Sequence, residues 1–341
     1  MKRFLQLLFV LLIPALFSCE KEDTAIQLPP SGDLSQAVAV MGSDYDRQVF
    51  VSLSSGAITS APSRSHDLTF EADPAGYRIY LNSAKLMFAG RSGCYDFNLA
   101  DSTGVNWKID AEHLQTDSLA LGKWWEPLVL SSNGMSEVFI IDRGRIDFSG
   151  SDRYRKMQVI SHSPTAYTVR HARLDGSADS VCTIQKDPVY ALMYFSFSSG
   201  GVQLNVAPPR DEWDFVFTRY THVYFDEPLT SPYRFYPVNG VLQNIWKGNK
   251  AVMLELDSVP WYIPFDDFTV SQVPNVNFSA DANVVGYDWK YYDFGVGRYF
   301  ITPDLYYLML TPDGYYYKFR MLDFYGPNGE KGTVTFQYKR I

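Results

Sequence analysis

The stretch Pro188–Phe225, PVYALMYFSFSSGGVQLNVAPPRDEWDFVFTRYTHVYF, decides the fold. Its segment Phe195–Ser198 alternates aromatic residues with serines, as a strand with one buried face does. Turn residues follow at Ser199–Gly201, and a proline-containing loop then breaks the sheet pattern. A second alternation follows, in which Trp213, Phe215 and Phe217 are expected to share one face. The whole stretch predicts antiparallel β structure.

A second, weaker copy of this block lies earlier in the chain, from Val49 to Leu81. Ser52–Gly56 matches Ser196–Gly200, and after another proline loop His66–Phe70 matches Trp213–Phe217. The closing strands of the two halves also correspond, because Tyr154 is equivalent to Tyr317 and Val169 to Phe336 in the proposed alignment of the repeats. Asp67 is equivalent to Asp214 in the same alignment. We therefore predict an internal duplication of two related β units.

Composition and turn chemistry favour strands over helices throughout. The 341 residues include 24 Tyr, 23 Phe and 7 Trp, and aromatic residues prefer strands. Asp313-Gly314 and Asn328-Gly329 each separate two alternating runs, which predicts hairpins. Short helical turns are expected only within 110–121 and 265–270. The fold class is therefore predicted as all-β, with mainly antiparallel twisted sheets in a sandwich-like arrangement and two tandem units.

The N-terminus has the pattern of a bacterial lipoprotein signal. Lys2 and Arg3 precede an apolar run over 4–17, which is too short to span a bilayer as a stable helix. The run ends in Leu16–Cys19, which resembles a lipobox. We therefore predict cleavage before Cys19 and acylation of that residue, which would anchor the protein to a membrane.

An acidic cluster follows the predicted lipid anchor. Lys21, Glu22 and Asp23 resemble a lipoprotein export signal to the outer face of the outer membrane, and the alternative is a solvated, charged tether. The predicted organisation is a signal peptide (1–18), an acylated cysteine with a flexible tether (19–34), an N-terminal β unit (35–186) and a C-terminal β domain (187–341).

Several function classes are disfavoured by charge and by motif. The formal net charge of −8 repels phosphate backbones, so nucleic acid is not an expected partner. The sequence has no Gly-x-Ser-x-Gly, His-Glu-x-x-His or Cys-x-x-Cys pattern and no phosphate-binding glycine loop. An enzyme is therefore not predicted. Whether Cys94 and Cys182 form a disulfide stays open, because sequence cannot place them within bonding distance.

The C-terminal half resembles the HmuY family of outer-membrane haem-binding lipoproteins. The resemblance is carried by Tyr194–Ser198, Trp213-Asp214 with Arg219-Tyr220, Trp289–Gly295, Phe319–Tyr325 and Gly332–Tyr338. It implies twisted sheets around an open pocket and a role in capturing haem or a related porphyrin at the cell surface. It also implies a TonB-dependent receptor as partner, and hence haem acquisition for iron uptake.

The sequence departs from the family at a position that holds iron. Family members ligate haem through two axial side chains, and one axial histidine of the family corresponds to Phe294, before Gly295. Phenylalanine has no lone pair to give to iron. The segment that supplies the other ligand in the family has no histidine after His222, and its only thioether is Met253. His222 and Met253 are therefore the candidate haem ligands.

A second interpretation is a HmuY-like binding module that has lost haem. Such a module would bind a glycan, a peptide or a partner outer-membrane receptor. Candidates for stacking on sugar rings are Trp124, Trp125, Trp246 and Trp261, and packing in the core is the equally good alternative for most of them.

Overall fold

The computed structural model describes residues 32–228, 230–231, 233–256 and 261–341. The predicted signal peptide, Cys19 and the acidic residues Lys21, Glu22 and Asp23 lie outside these ranges. Within them the chain is almost entirely β, so the predicted fold class is confirmed. None of the helices in this part is long and apolar enough to cross a membrane.

Twenty strands form within the described residues. In chain order they are β1 (Ser35–Val40), β2 (Arg47–Val51), β3 (Ile58–Pro62), β4 (Leu68–Glu71), β5 (Ile79–Leu81), β6 (Phe88–Arg91), β7 (Phe139–Asp142), β8 (Tyr154–His162), β9 (Ala166–Arg173), β10 (Ser180–Gln185), β11 (Leu192–Ser196), β12 (Val202–Leu204), β13 (Phe215–Val223), β14 (Phe235–Gln243), β15 (Lys250–Glu255), β16 (Lys290–Asp293), β17 (Arg298–Ile301), β18 (Leu305–Leu310), β19 (Tyr316–Tyr325) and β20 (Lys331–Arg340).

The strands build two pairs of matching sheets. Sheet I has the order β1-β20-β19-β18-β15, and sheet II has the order β10-β9-β8-β7-β6. Sheet III has the order β12-β11-β4-β5, and sheet IV has the order β14-β13-β2-β3. Sheets I and II have five strands each, and sheets III and IV each join two strands that precede residue 187 to two that follow it. The β16–β17 hairpin stands apart as a two-stranded sheet.

The two copies have exchanged strands. Strand β1 pairs with β20 and β2 pairs with β13, so both strands from the start of the chain pair with strands of its second half, and β3 follows through its pairing with β2. In return, β11 of the second copy pairs with β4 of the first. We call the set β4–β12 lobe A and the set β1–β3 with β13–β20 lobe B. The predicted division at residues 186 and 187 stays a prediction, and sheet III contains strands from both sides of it.

Each lobe has its own apolar core. Lobe A buries Phe70, Phe139 and Phe195, whereas lobe B buries Phe217 and Phe319. These side chains come from alternating strand positions, because successive residues of a strand point to opposite faces. Trp213 departs from the prediction here. It packs with Phe50 and Val216, so it lies away from the core face of Phe215 and Phe217 that the alternation assigned to it.

A buried aspartate occupies the same place in each lobe. Asp67 accepts a hydrogen bond from the Phe197 amide at 2.8 Å, and Asp214 accepts one from the Leu53 amide at 2.7 Å. Each bond joins a first-half residue to a second-half residue. The predicted match of Asp67 with Asp214 is therefore confirmed by the equivalent contacts of the two carboxylates.

The same Asn-x-x-Lys pattern serves both aspartates. The backbone N–H of Asn82 donates to the backbone carbonyl oxygen of Asp67 at 2.9 Å, and the backbone N–H of Asn244 donates to that of Asp214 at 2.8 Å. Three residues further on, Lys85 and Lys247 form ion pairs with the two carboxylates. The repeated contacts show that the copies share local chemistry as well as strand order.

The closing strands carry a register shift at matching places. In the β8–β9 pair the register shifts after Val159 pairs with Val169, and in the β19–β20 pair it shifts after Met321 pairs with Phe336. The predicted match of Val169 with Phe336 is therefore confirmed. Counting back from Val159 and Met321 by the same interval pairs Tyr154 with Tyr316, so the predicted match of Tyr154 with Tyr317 is wrong by one residue.

The two hairpins predicted from turn residues are confirmed. Asp313-Gly314 lies between β18 and β19, and Asn328-Gly329 lies between β19 and β20. The expected region 110–121 contains a short 3-10 helix at Thr116–Ser118. The second 3-10 helix, Val270–Asn275, begins only at the last residue of the expected region 265–270, so that prediction was placed too early in the chain.

Candidate functional site

Exposed aromatic side chains occur on both faces of the β16–β17 hairpin, where Tyr291 packs on Phe300 and Tyr292 on Phe294, and on the β13–β14 hairpin. The most exposed is Phe294, with 90 % of its surface accessible. We define the aromatic surface as Phe225, Tyr233, Tyr236, Tyr291, Tyr292, Phe294 and Phe300. Large exposed apolar patches of soluble proteins mark binding sites. This surface is therefore the first candidate site.

The tip of the β16–β17 hairpin is fixed by its own backbone. Asp293 Oδ1 accepts hydrogen bonds from the amides of Gly295 and Val296, at 2.7 and 3.0 Å. The amide of Gly297 donates to the Asp293 carbonyl at 2.7 Å, and Gly297 has φ +75°, which favours glycine. The turn thus holds Phe294 outward, at the position that matches an axial histidine in the resemblance.

Lys290 ties the base of this hairpin to the body of lobe B. Its Nζ donates to the carbonyl of Asn239 and lies 4.0 Å from the ring centre of Trp289. Burial lowers the pKa of Lys290 to about 7, and Asp288 opposes this only in part. The amine therefore changes charge near neutral pH, next to a core tryptophan.

His222, a predicted haem-ligand candidate, lies at the end of β13. Its Nδ1 is 2.8 Å from Glu112 Oε1, and its ring packs against Tyr224 and Tyr287. Metal-binding histidines commonly use one ring nitrogen on a carboxylate, which orients the other toward the metal. The geometry leaves Nε2 of His222 for a further partner. Glu112 is remote in sequence, and no pattern in the chain pointed to it.

Met253, the other candidate, has a different environment. It lies on β15 opposite Tyr307 and packs, partly buried, against the lobe B core. A flexible thioether in such a place fills space between core side chains. His222 belongs to sheet IV and Met253 to sheet I, and no contact between the two is among those described.

The tryptophans considered for sugar stacking divide into buried and accessible ones. Trp124 is buried, with its indole Nε1 donating to the carbonyl of Tyr77 at 2.9 Å, so its prediction as an exposed stacking residue is wrong. Trp125 packs partly buried against the lobe A core, and Trp246 packs between the lobes. Trp261 keeps 38 % of its surface accessible. Apolar periodicity could not separate these cases.

The cysteines and the metal-binding residue types form no cluster in the described part. Cys94 and Cys182 are free thiols, and the Sγ of Cys182 lies 3.6 Å from His171 Nε2. No group of three or more His, Cys, Asp and Glu residues suited to a metal ion occurs among the described residues.

Comparisons with known proteins give one family. Residues 190–338 match the family model described as HmuY protein. No curated protein matches the chain.

Similar solved structures include three with related descriptions. Apo PinO from Porphyromonas gingivitis is 8 % identical, with a TM-score of 0.27, over 91 % of this chain and 97 % of that one. The apo HmuY analog of Tannerella forsythia is 10 % identical, with a TM-score of 0.30, over 92 % and 98 %. A putative HmuY-like haem-binding protein from Bacteroides vulgatus is 17 % identical, with a TM-score of 0.22, over 40 % and 78 %. The family match is therefore to the C-terminal part of the chain, residues 190–338, which is less than half of its length.

Proposed function

We propose that this protein is a HmuY-type, non-catalytic, lipid-anchored protein of the outer-membrane surface that captures haem or a related porphyrin. The observation that supports the proposal is the set of seven exposed rings on the β13–β14 and β16–β17 hairpins. A porphyrin is flat and largely apolar, so it gains from stacking on such rings. A TonB-dependent receptor is the partner that the family resemblance implies.

The proposed iron ligand is His222. Its Nδ1 pairs with Glu112, and its ring lies against Tyr224 and Tyr287, at the end of the hairpin that bears part of the aromatic surface. An imidazole held in this way offers Nε2 to iron. Met253 is the weaker candidate, because its side chain packs against the lobe B core.

Haem titration of the purified protein tests the proposal. We expect a saturable Soret shift in the natural protein and its loss in His222→Ala, because removal of the imidazole leaves the iron without that donor. Met253→Ala should keep the shift. His162→Ala is the matched control, since His162 packs against Tyr77 and Trp124 in lobe A.

Iron-free protoporphyrin separates stacking from ligation in the same series. It should bind the natural protein and His222→Ala with affinities within about threefold, because no metal bond is lost. Phe294→His, which places an imidazole on an exposed turn, should tighten haem binding without changing protoporphyrin binding. An unshifted Soret band in the natural protein at all haem concentrations would argue against haem capture.

The alternative is a module that binds a glycan, a peptide or a partner receptor through the same surface. The exposed Phe294 in place of a histidine favours it, because this residue keeps the apolar contact and removes the metal donor. A protein with no porphyrin affinity but with glycan binding lost in Phe294→Ala would establish this function instead.

The lipid anchor is tested separately from the ligand. Cys19→Ala should move the protein from the membrane fraction to the soluble fraction, because the acylated residue is lost. Replacing Lys21, Glu22 and Asp23 together should hide the protein from external protease without detaching it. Cys19→Ala protein that still sediments with membranes would contradict the anchor.

A further inference from the structure

A cavity of about 110 Å³ lies where sheets III and IV face each other. Its aromatic walls are Phe50, Tyr80, Tyr194, Trp213 and Trp246. Strands of both copies contribute, so the cavity exists only because the two four-stranded sheets meet. It is separate from the aromatic surface, none of whose residues lines it.

Five side chains that line the cavity carry buried polar atoms without a hydrogen-bond partner among the described residues. These atoms are Gln48 Nε2, Trp213 Nε1, Arg219 Nε, Gln243 Oε1 and Trp246 Nε1. Gln48, Trp213 and Gln243 are more than nine-tenths buried. Buried polar groups in proteins are nearly always paired, and each exception calls for a water, an ion or a ligand. Five exceptions around one space point to an occupant.

The unpaired atoms define the chemistry of that occupant. Four of the five are donors, and Arg219 adds a guanidinium charge. No aspartate or glutamate is among the residues described as lining the cavity. Burial lowers the pKa of His66 to about 3, with Lys85 acting in the same direction, so its imidazole is neutral at physiological pH. The site therefore lacks an anion to pair with its donors.

We propose that this cavity binds a short-chain aliphatic carboxylate. A carboxylate supplies four lone-pair sites for the donors of Gln48, Trp213 and Arg219. The aromatic walls suit a short apolar chain. The size sets the limit, because the cavity of about 110 Å³ is smaller than the roughly 150 Å³ that holds benzene in an apolar protein cavity.

Titration with sodium propionate tests the site on the full-length protein. We expect a saturable shift of the Trp213 indole N–H resonance, which is identified by its absence in Trp213→Phe. Propionamide, the neutral analogue, should bind roughly tenfold more weakly, because it lacks the charge that Arg219 recognises. Arg219→Gln should weaken propionate binding by a similar factor and leave propionamide unaffected.

Trp124→Phe is the matched control. Trp124 is as buried as Trp213, but its indole N–H is already paired with the Tyr77 carbonyl, so propionate affinity should not change. A natural protein without a saturable indole shift would overturn the proposal and leave ordered water as the occupant. Equal affinity for propionate and propionamide would overturn the assignment of a carboxylate.

Discussion

Lys290 is a buried amine at the base of the aromatic hairpin, and its protonation couples to folding. Burial lowers its pKa from 10.5 to about 7. Between these values the unfolded chain binds a proton that the folded chain does not, so stability rises with pH across this window. Lys290→Met should remove that rise, a difference on the order of 3 kcal/mol between pH 7 and 10.5.

Urea unfolding at several pH values measures the effect as the difference between the natural protein and Lys290→Met. Lys331→Met serves as a control, because Lys331 is exposed and should leave the pH dependence unchanged. Parallel pH profiles for the natural protein and Lys290→Met would contradict the prediction.

At the residue scale, the sequence indicated which position lacks the iron ligand that the family resemblance implies, but it did not indicate which neighbouring residues orient the remaining candidate ligand. Phe294 was recognisable from its place before Gly295. Its exposure depends on hydrogen bonds to Asp293, and those become visible only in the folded hairpin. Likewise His222 was a candidate from the sequence, whereas its pairing with Glu112 joins residues from different lobes.

At the element scale, we expect that replacing the two buried aspartates, Asp67 and Asp214, lowers the free energy of unfolding by unequal amounts. Burial would raise the pKa of Asp67, but Lys85 and Arg143 outweigh it and lower the pKa to about 2. Asp67→Asn leaves both buried cations without their carboxylate, which should cost about 3–5 kcal/mol. Asp214→Asn should cost about 1–3 kcal/mol, because its one cation, Lys247, is partly accessible.

Chemical denaturation of both variants checks this order, with the urea dependence confirming that unfolding stays two-state. Equal losses would show that the extra cation of lobe A does not matter.

The tight turn at Gly144, with φ +92°, belongs to the same arrangement. A side chain there would lie 2.1 Å from the Lys85 carbonyl, so glycine allows Arg143 to approach Asp67.

Elements were predictable where the signal was local. Asp313-Gly314 and Asn328-Gly329 specify their hairpins through backbone conformation alone. The partners of β2 and β11 were not predictable, because equivalent strands of a duplicated chain have similar patterns and either copy can satisfy them. Trp213 was misplaced for a related reason. It precedes β13, so the alternation that holds from Phe215 onward does not extend to it.

At the scale of the whole molecule, the strand exchange makes the two copies interdependent in an unequal way. Lobe A is continuous in sequence from β4 to β12, whereas lobe B needs β1–β3 from the start of the chain. The HmuY match over 190–338 begins before β11, a strand that pairs with β4 of lobe A, and it omits β1–β3. The family segment and the lobe are therefore different parts of the chain.

Fragments of the chain test this organisation. Residues 64–208 contain all of sheets II and III, so this fragment should fold alone with cooperative unfolding and a β-type circular dichroism spectrum. Residues 187–341 lack β1 and β2, which leaves the edges of β20 and β13 unpaired. Unpaired edges template aggregation, so this fragment should aggregate when expressed alone. Adding a peptide of residues 32–62 should restore a soluble, folded complex, whereas a scrambled peptide should not. A fragment 187–341 that folds without the peptide would show that lobe B does not depend on the exchanged strands, and the sequence-based division at residue 187 would then describe the folding units better than the sheets do.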